Sequence, residues 1–127
     1  KVAPVDEDST AKLIQQFYDL GVRPDWWKLE PMKSSAAWQK ACDAINQNDP
    51  NCKGIVVLGL DAPEAELSAS FKQAAKFPLV KGFAVGRSIF SDSARAWLAG
   101  QIGDDDVIKD MSEKFTSLCN IWDQAAA

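Results

Sequence analysis

A lysine and a glutamate stand two positions apart in the apolar segment 24–31, Pro-Asp-Trp-Trp-Lys-Leu-Glu-Pro. Alternate side chains of a strand share one face, so Trp26, Lys28 and Glu30 are expected to point the same way. Loss of water beside a tryptophan favours the neutral, nucleophilic form of a lysine amine. The segment therefore predicts a reactive Lys28, with Glu30 beside it to carry protons or to orient the amine. The alternative is a solvated pair of little energetic consequence.

The two other predicted strands end in glycine, in Gly59-Leu60-Asp61-Ala62-Pro63 and in Gly86-Arg87-Ser88. Glycine lets backbone N–H groups approach an anion closely, and the beginning of a helix adds a favourable dipole. An arginine can add a bidentate contact to phosphate. The pattern predicts a phosphate site formed by Gly59, Gly86, Arg87 and Ser88. The alternative is that the glycines serve only as turn residues and that Arg87 pairs with Asp61 or Asp92.

Histidine is absent from the sequence, which removes serine–histidine and cysteine–histidine catalysis and most zinc sites. The three cysteines, Cys42, Cys52 and Cys119, are odd in number and too far apart for a metal-binding spacing. We therefore expect no metal and no cofactor, and a reducing, cytoplasmic setting without a disulfide framework.

The charge balance argues against two classes of partner. Fourteen basic and 18 acidic residues give a net charge of -4, whereas nucleic-acid binding needs a basic face. No apolar run approaches the roughly 20 residues of a membrane span, so no membrane partner is expected. Because the sequence does not begin with Met, we expect it to be cut from a longer protein or expressed as a piece.

The elements alternate as helix, strand, helix, strand, helix, strand, helix, helix, in one partial domain over residues 1–127. The strands are predicted at about 25–30, 54–59 and 81–86, and the continuous apolar run at 54–59 is typical of a strand covered on both faces. This alternation predicts a parallel sheet with right-handed crossovers and covering helices. Predicted helix caps are Asp8-Ser9-Thr10, Ser34 or Ser35, Asp61, and Ser91 or Asp92, and a last helix runs from Asp104 to about Trp122.

Three strands are too few to close a barrel, and a three-stranded parallel sheet leaves two apolar edges open. The chain is therefore either part of an eight-stranded barrel or has its edges covered by a second copy. We expect a fragment that associates with itself.

Segment 21–31 resembles the region around the Schiff-base lysine of class I tagatose-bisphosphate aldolases, in which glycine, aspartate, lysine, glutamate and proline recur in this pattern. Segments 55–63 and 81–90 look like the seventh and eighth strands of that fold with their phosphate loops. Essentially the whole chain is similar to the C-terminal half of the aldolase-like domain that is fused behind the sugar kinase in bacterial bifunctional 5-dehydro-2-deoxygluconokinases of inositol catabolism.

This resemblance implies an α/β fold, namely the last three βα units of a TIM (β/α)8 barrel. It implies cleavage of 2-deoxy-5-keto-gluconate 6-phosphate into dihydroxyacetone phosphate and malonate semialdehyde. Lys28 matches the imine-forming lysine, Glu30 the glutamate beside it, and Gly86 and Arg87 the phosphate-binding strand exit. The family also draws catalytic groups from earlier strands that this sequence lacks, so the isolated chain is expected to be inactive.

Two other functions stay open at the level of sequence. The chain could be a non-catalytic module that binds a phosphorylated sugar and regulates the attached sugar kinase. It could also be a structural fragment whose residues only pack.

Overall fold

The computed structural model describes residues 5–127 and shows a mixed α/β fold. A three-stranded, entirely parallel sheet has the strand order β1-β2-β3 and is flanked by helices. In chain order the elements are α1 (Ser9–Asp19), β1 (Trp26–Leu29), α2 (Ser35–Asn48), β2 (Gly54–Leu58), α3 (Glu64–Ala74), β3 (Val80–Ala84), α4 (Arg87–Leu98) and α5 (Asp104–Ala126). The predicted element order and the parallel sheet are confirmed.

The two faces of the sheet differ in how well they are covered. What we call the covered face consists of Trp27, Leu29, Ile55, Val57 and Phe83, of which the first four are buried and the last half-buried. What we call the open face consists of Trp26, Lys28, Val56, Leu58 and Ala84, which are all exposed or half-buried. The register sets Lys28 beside Val56, and Val56 beside Gly82, so the alternation along β1 continues across the sheet.

A buried hydrogen bond joins α1 to the covered face. The indole N–H of Trp27 donates to the hydroxyl of Tyr18 at 3.0 Å, and both aromatic rings lie in the core. The rings meet edge to face with their centroids 5.6 Å apart. Burial raises the pKa of Tyr18 above its ordinary value, because the phenolate would lose its hydration. This pair therefore joins α1 to β1 within the core.

Aromatic rings hold the other half of the sheet to its helices. Phe71 of α3 is fully buried, stacks on Phe83 of β3 with centroids 5.0 Å apart and meets Trp122 of α5 edge to face at 5.5 Å. Trp38 and Trp122 both pack helices against the core, Trp38 fully buried and Trp122 half-buried. Trp97 differs, because it is 45% exposed and donates a hydrogen bond to Asp104.

The amino end of β2 requires a glycine. Gly54 has φ 148°, and a Cβ placed on it would lie 2.7 Å from the carbonyl oxygen of Leu79. Next to it the pairing of β2 with β3 is irregular, because Ile55 pairs with Val80 whereas Val56 pairs with Gly82. Lys81 is therefore the extra residue of a β-bulge.

The helix ends test the predicted caps. Ser34 is confirmed as a cap, since its hydroxyl accepts a hydrogen bond from Ala37 N at 3.1 Å. Asp61 is not a cap, because Pro63 occupies the position before α3. The prediction that the fourth helix begins after Ser91 or Asp92 is wrong, since α4 begins directly after Gly86. The last helix also continues beyond Trp122 to Ala126.

Cys42, Cys52 and Cys119 are free thiols. Burial raises the pKa of the Cys42 thiol to about 11, because a thiolate there would lose its hydration. Among residues 5–127, none of the helices has the length and apolar character needed to cross a membrane.

Candidate functional site

The loop after β2 is a tight turn with an unusual backbone. Ala62 N donates to the carbonyl oxygen of Gly59 at 2.9 Å, and the two residues between them, Leu60 and Asp61, have φ 50° and 62°. Positive φ at both central positions is the property of type I′ turns, which are dominated by glycine, asparagine and aspartate. This conformation costs a leucine residue about 1–2 kcal/mol of free energy. Asp61 adopts it more readily, because short polar side chains tolerate the left-handed region.

Two contacts tie this turn to the end of β3. A Cβ added to Gly59 would lie 2.9 Å from Val85 Cγ1, so glycine permits the close approach of the two strand exits. The hydroxyl of Ser88 donates to the carbonyl oxygen of Ala62 at 3.0 Å. The loop after β2 is therefore held against the end of β3 and the start of the following helix by direct contacts.

Helix α4 presents its N-terminus at the same edge of the sheet. Its preceding residue, Gly86, provides no side-chain cap, and the carbonyl of Gly86 accepts from the N–H groups of Ile89 and Phe90. The first N–H groups of a helix have no helical partner, and the helix dipole makes this end favourable for anions. Arg87 and Ser88 thus form the first turn of helix α4. The sequence had instead predicted that they lie in a loop before this helix.

One cavity of about 350 Å³ collects most of the predicted site residues. It opens at the carboxyl ends of the strands and is lined by side chains or backbone of Lys28, Gly59, Asp61, Gly86, Arg87 and Ser88, together with apolar neighbours. The structure thus brings together the predicted reactive lysine and the predicted phosphate residues. Glu30, which follows β1, is exposed and is not among the residues that line the cavity.

The surroundings of Lys28 differ from the sequence prediction. Lys28 is exposed, and Trp26, which was expected to exclude water from it, is itself 46% exposed. The predicted loss of water is therefore wrong for the chain in this structure. The physical reason is that the two residues share the open face, whereas Trp27 points into the helices.

The alternative expectation was that Arg87 pairs with Asp61 or Asp92, and the structure shows neither ion pair in residues 5–127. Asp92 forms an ion pair with Arg95 of its own helix. Within residues 5–127 no ion pair involves Arg87, and the carboxylate of Asp61 has neither an ion pair nor a hydrogen bond. Both charged groups are thus available to a ligand in the cavity.

A larger, mostly apolar cavity of about 800 Å³ lies beside the first and shares Gly59 and Leu60 with it. It separates the loop after β1, including Met32, from α3. The Ser70 hydroxyl at its wall is buried and lacks a hydrogen-bond partner in the described part of the chain. Sequence reasoning missed this cavity, because it results from the gap between the loop after β1 and helix α3.

Sequence reasoning also missed Asp61 as a cavity residue. The spacing from Asp61 to Glu64 is typical of a helix cap, so Asp61 was interpreted as a cap and not as a residue of the ligand site. The available signal was a carboxylate that directly follows a buried strand. In the described range no group of three or more histidine, cysteine, aspartate or glutamate residues is arranged to hold a metal ion.

The fold and the cavity define a small α/β domain with a candidate anion site where two neighbouring parallel strands end. A family model matches residues 1–126, and the chain belongs to this family, described as "Uncharacterized protein conserved in bacteria (DUF2090)". Searches of curated proteins and of solved structures returned no match.

Proposed function

We propose that the chain is the C-terminal part of an aldolase-like (β/α)8 barrel in a phosphosugar lyase of myo-inositol catabolism. The reaction is the cleavage of 2-deoxy-5-keto-gluconate 6-phosphate to dihydroxyacetone phosphate and malonate semialdehyde through an imine on Lys28. The observation that supports this proposal is that Lys28 and Arg87, from the first and last strand exits, line the same cavity. A phosphorylated ketone needs an amine and an anion site on one mouth, at the carboxyl ends of the strands.

The proposed roles follow from the chemistry of the side chains. The neutral amine of Lys28 attacks the ketone, and the resulting protonated imine accepts the electron pair of the broken carbon–carbon bond. Arg87, Ser88 and the backbone at Gly59 and Gly86 hold the phosphate, with support from the α4 dipole. Glu30 stays a predicted group for orienting the amine or carrying protons.

The proposal places this chain in a longer cytoplasmic protein, in which earlier strands complete the barrel and a sugar-kinase domain is attached. The open face and the outer edges of β1 and β3 support it, because they would be covered by those strands. Expressed alone, the chain should be inactive and should self-associate. Analytical ultracentrifugation tests the last point, and a monodisperse monomer would contradict it.

The deciding experiment is borohydride reduction of the natural full-length protein in the presence of dihydroxyacetone phosphate. We expect a reduced adduct on Lys28 by peptide mass spectrometry, and its loss in Lys28→Met. Lys53→Met is the matched control, since Lys53 is also an exposed lysine beside the sheet, but it lies at the amino edge and pairs with Asp25. Absence of an adduct, with cleavage that survives Lys28→Met, would reject the lyase.

A second candidate is a non-catalytic module that binds a phosphorylated sugar and regulates the kinase. The exposure of Lys28 favours it, because an exposed lysine is a better anion contact than a nucleophile. This function predicts binding of dihydroxyacetone phosphate that weakens about 10–100-fold in Arg87→Gln, as for the loss of a charged hydrogen bond. It also predicts that borohydride traps nothing.

A further inference from the structure

We propose that Asp61 is the catalytic acid–base group that takes the proton from the substrate hydroxyl during carbon–carbon cleavage. This inference deepens the proposed lyase function and rests on it. It assigns to Asp61 the proton transfer that the sequence alone suggested for Glu30, and it leaves Glu30 at most the orientation of the amine.

The position of the two carboxylates carries the first step of the argument. Asp61 lines the cavity together with Lys28, whereas Glu30 does not, although it follows Lys28 on the same strand. A general base must reach the proton that it removes, so membership of the cavity comes before any other property. Asp61 also lacks a hydrogen bond or ion pair within residues 5–127, so its oxygens are available to a substrate hydroxyl.

The backbone of the turn supports a functional reading of Asp61. Leu60 and Asp61 both have positive φ, and a sequence with glycine at these positions would form the same turn without strain. Strained backbone persists where surrounding contacts enforce it, and it is concentrated at functional sites. Here the enforcing contacts are the Ala62–Gly59 hydrogen bond and the bond from Ser88 to Ala62. They hold the backbone of Asp61 at the edge of the cavity.

The charges of the cavity explain how a carboxylate and a phosphate can share it. Arg87 and, once the imine has formed, the protonated imine on Lys28 supply two positive charges against the single negative charge of Asp61, so an anionic ligand is still attracted. The phosphate should lie at Arg87 and the α4 N-terminus, away from Asp61, to which like charge is unfavourable. The reacting hydroxyl then faces Asp61.

The chemical step balances without any metal. Once the ketone has condensed with the Lys28 amine and released water, Asp61 removes the proton of the hydroxyl on the carbon β to the protonated imine. The electron pair of the O–H bond forms the new C=O bond of the aldehyde. The bond between the α and β carbons breaks, and its electron pair converts the protonated imine into a neutral enamine. The aldehyde leaves, the protonated Asp61 returns its proton to the enamine carbon, and water hydrolyses the imine to release the second product.

The test uses the natural full-length protein that contains this chain, with 2-deoxy-5-keto-gluconate 6-phosphate for cleavage and dihydroxyacetone phosphate with borohydride for trapping. Asp61→Asn and Asp61→Gly are the test variants, because asparagine and glycine both accept φ 62°. We expect normal trapping on Lys28 and a kcat lowered about 10²–10⁴-fold, the usual worth of a general acid–base group. Asp25→Asn, an exposed aspartate at the opposite end of β1, is the control with unchanged cleavage.

The remaining outcomes distinguish failure of the Asp61 assignment from failure of the proposed lyase function. Trapping that persists while both Asp61 variants cleave at about the rate of the unsubstituted protein overturns the role of Asp61 and leaves the lyase standing. Variants that lose trapping together with cleavage also overturn the assignment, because Asp61 would then act before the imine exists. If the unsubstituted protein forms no adduct, the lyase itself fails, and the role of Asp61 fails with it.

Discussion

The covered and open faces of the same small sheet are built from neighbouring residues of the same strands, yet they differ in what they do. On the covered face Ile55 and Val57 are completely inaccessible to solvent. On the open face Val56 and Leu58 are only half-buried, and Lys28 is exposed beside them. The difference teaches that stability is concentrated on one face, which leaves the other, together with the carboxyl edge of the sheet, available for a ligand or a partner.

The largest effect should come from the aromatic cluster under the covered face. Phe71→Ala removes a fully buried ring that contacts Phe83 and Trp122 and should lower the free energy of unfolding by about 3–5 kcal/mol. Urea denaturation followed by circular dichroism measures it. Leu98→Ala, at a position 77% exposed, is the control and should change stability little. Equal effects of the two changes would break the comparison of the faces.

Two adjacent valines compare the faces directly. Val57→Ala should lower the free energy of unfolding by about 2–3 kcal/mol, because the side chain is fully buried. Val56→Ala should lower it by about 1 kcal/mol or less, because this side chain is only half-buried. Should both variants lose the same stability, something in solution must cover the open face, and the self-association proposed above would gain support.

The hydrogen bond behind β1 gives the next effect. Tyr18→Phe leaves the buried indole N–H of Trp27 without its acceptor and should lower the free energy of unfolding by about 1–2 kcal/mol. Thermal unfolding gives the measurement. Phe17→Leu is a suitable control, because the ring centroid of Phe17 lies 5.8 Å from that of the Trp27 indole but its side chain accepts no hydrogen bond. A Tyr18→Phe protein as stable as the unsubstituted one would show that water satisfies this N–H.

Replacement of the strained leucine in the turn should act in the opposite direction. Leu60→Gly places glycine at φ 50° and relieves the strain of a leucine there. We expect the free energy of unfolding to rise by about 1 kcal/mol at most, because the greater freedom of glycine in the unfolded chain offsets part of this gain. Leu20→Gly, an exposed leucine outside the turn, controls for the change of residue type and should not stabilise. Destabilisation by Leu60→Gly would mean that the side chain packs more tightly than its 54% exposure indicates.

The smallest effect concerns alkaline pH. Burial raises the pKa of the Cys42 thiol from its ordinary 9.0 to about 11. A raised folded-state pKa contributes stability that is complete below pH 9 and is lost as the pH rises through about 11. Denaturant titrations across that interval should show a decline in stability that is shallower in Cys42→Ala. An unchanged slope in the variant would assign the decline to other groups, such as Tyr18, whose pKa is also raised.

Much of this fold follows from local rules. The strands β2 and β3 lie within one or two residues of the segments predicted for them, β2 from its continuous apolar run, and the Ser34 cap forms as its position indicates. The start of α4 was misplaced because Gly86 has no side chain to serve as a recognisable cap. The turn at Leu60 escaped prediction because leucine is not a residue that signals positive φ.

The candidate site was predictable in its members but not in its environment. Parallel strands end at one edge, so glycine, arginine and lysine residues at strand exits must come close together. Whether water reaches Lys28 depends on what covers the open face, and no local pattern around residues 24–31 contains that information. The separate roles of Glu30 and Asp61 likewise depend on the path of the turn after β2.

Trp26 provides this protein with a built-in optical probe of its own open face. It is 46% exposed two positions before Lys28, whereas Trp27 and Trp38 are buried in the core. Acrylamide should therefore quench the emission of Trp26 and of the similarly exposed Trp97 while sparing the buried indoles. In a Trp97→Phe protein Trp26 is the most exposed indole, with Trp122 half-buried, so a fall in the quenchable fraction on assembly or ligand addition reads out occupancy of that face without any label.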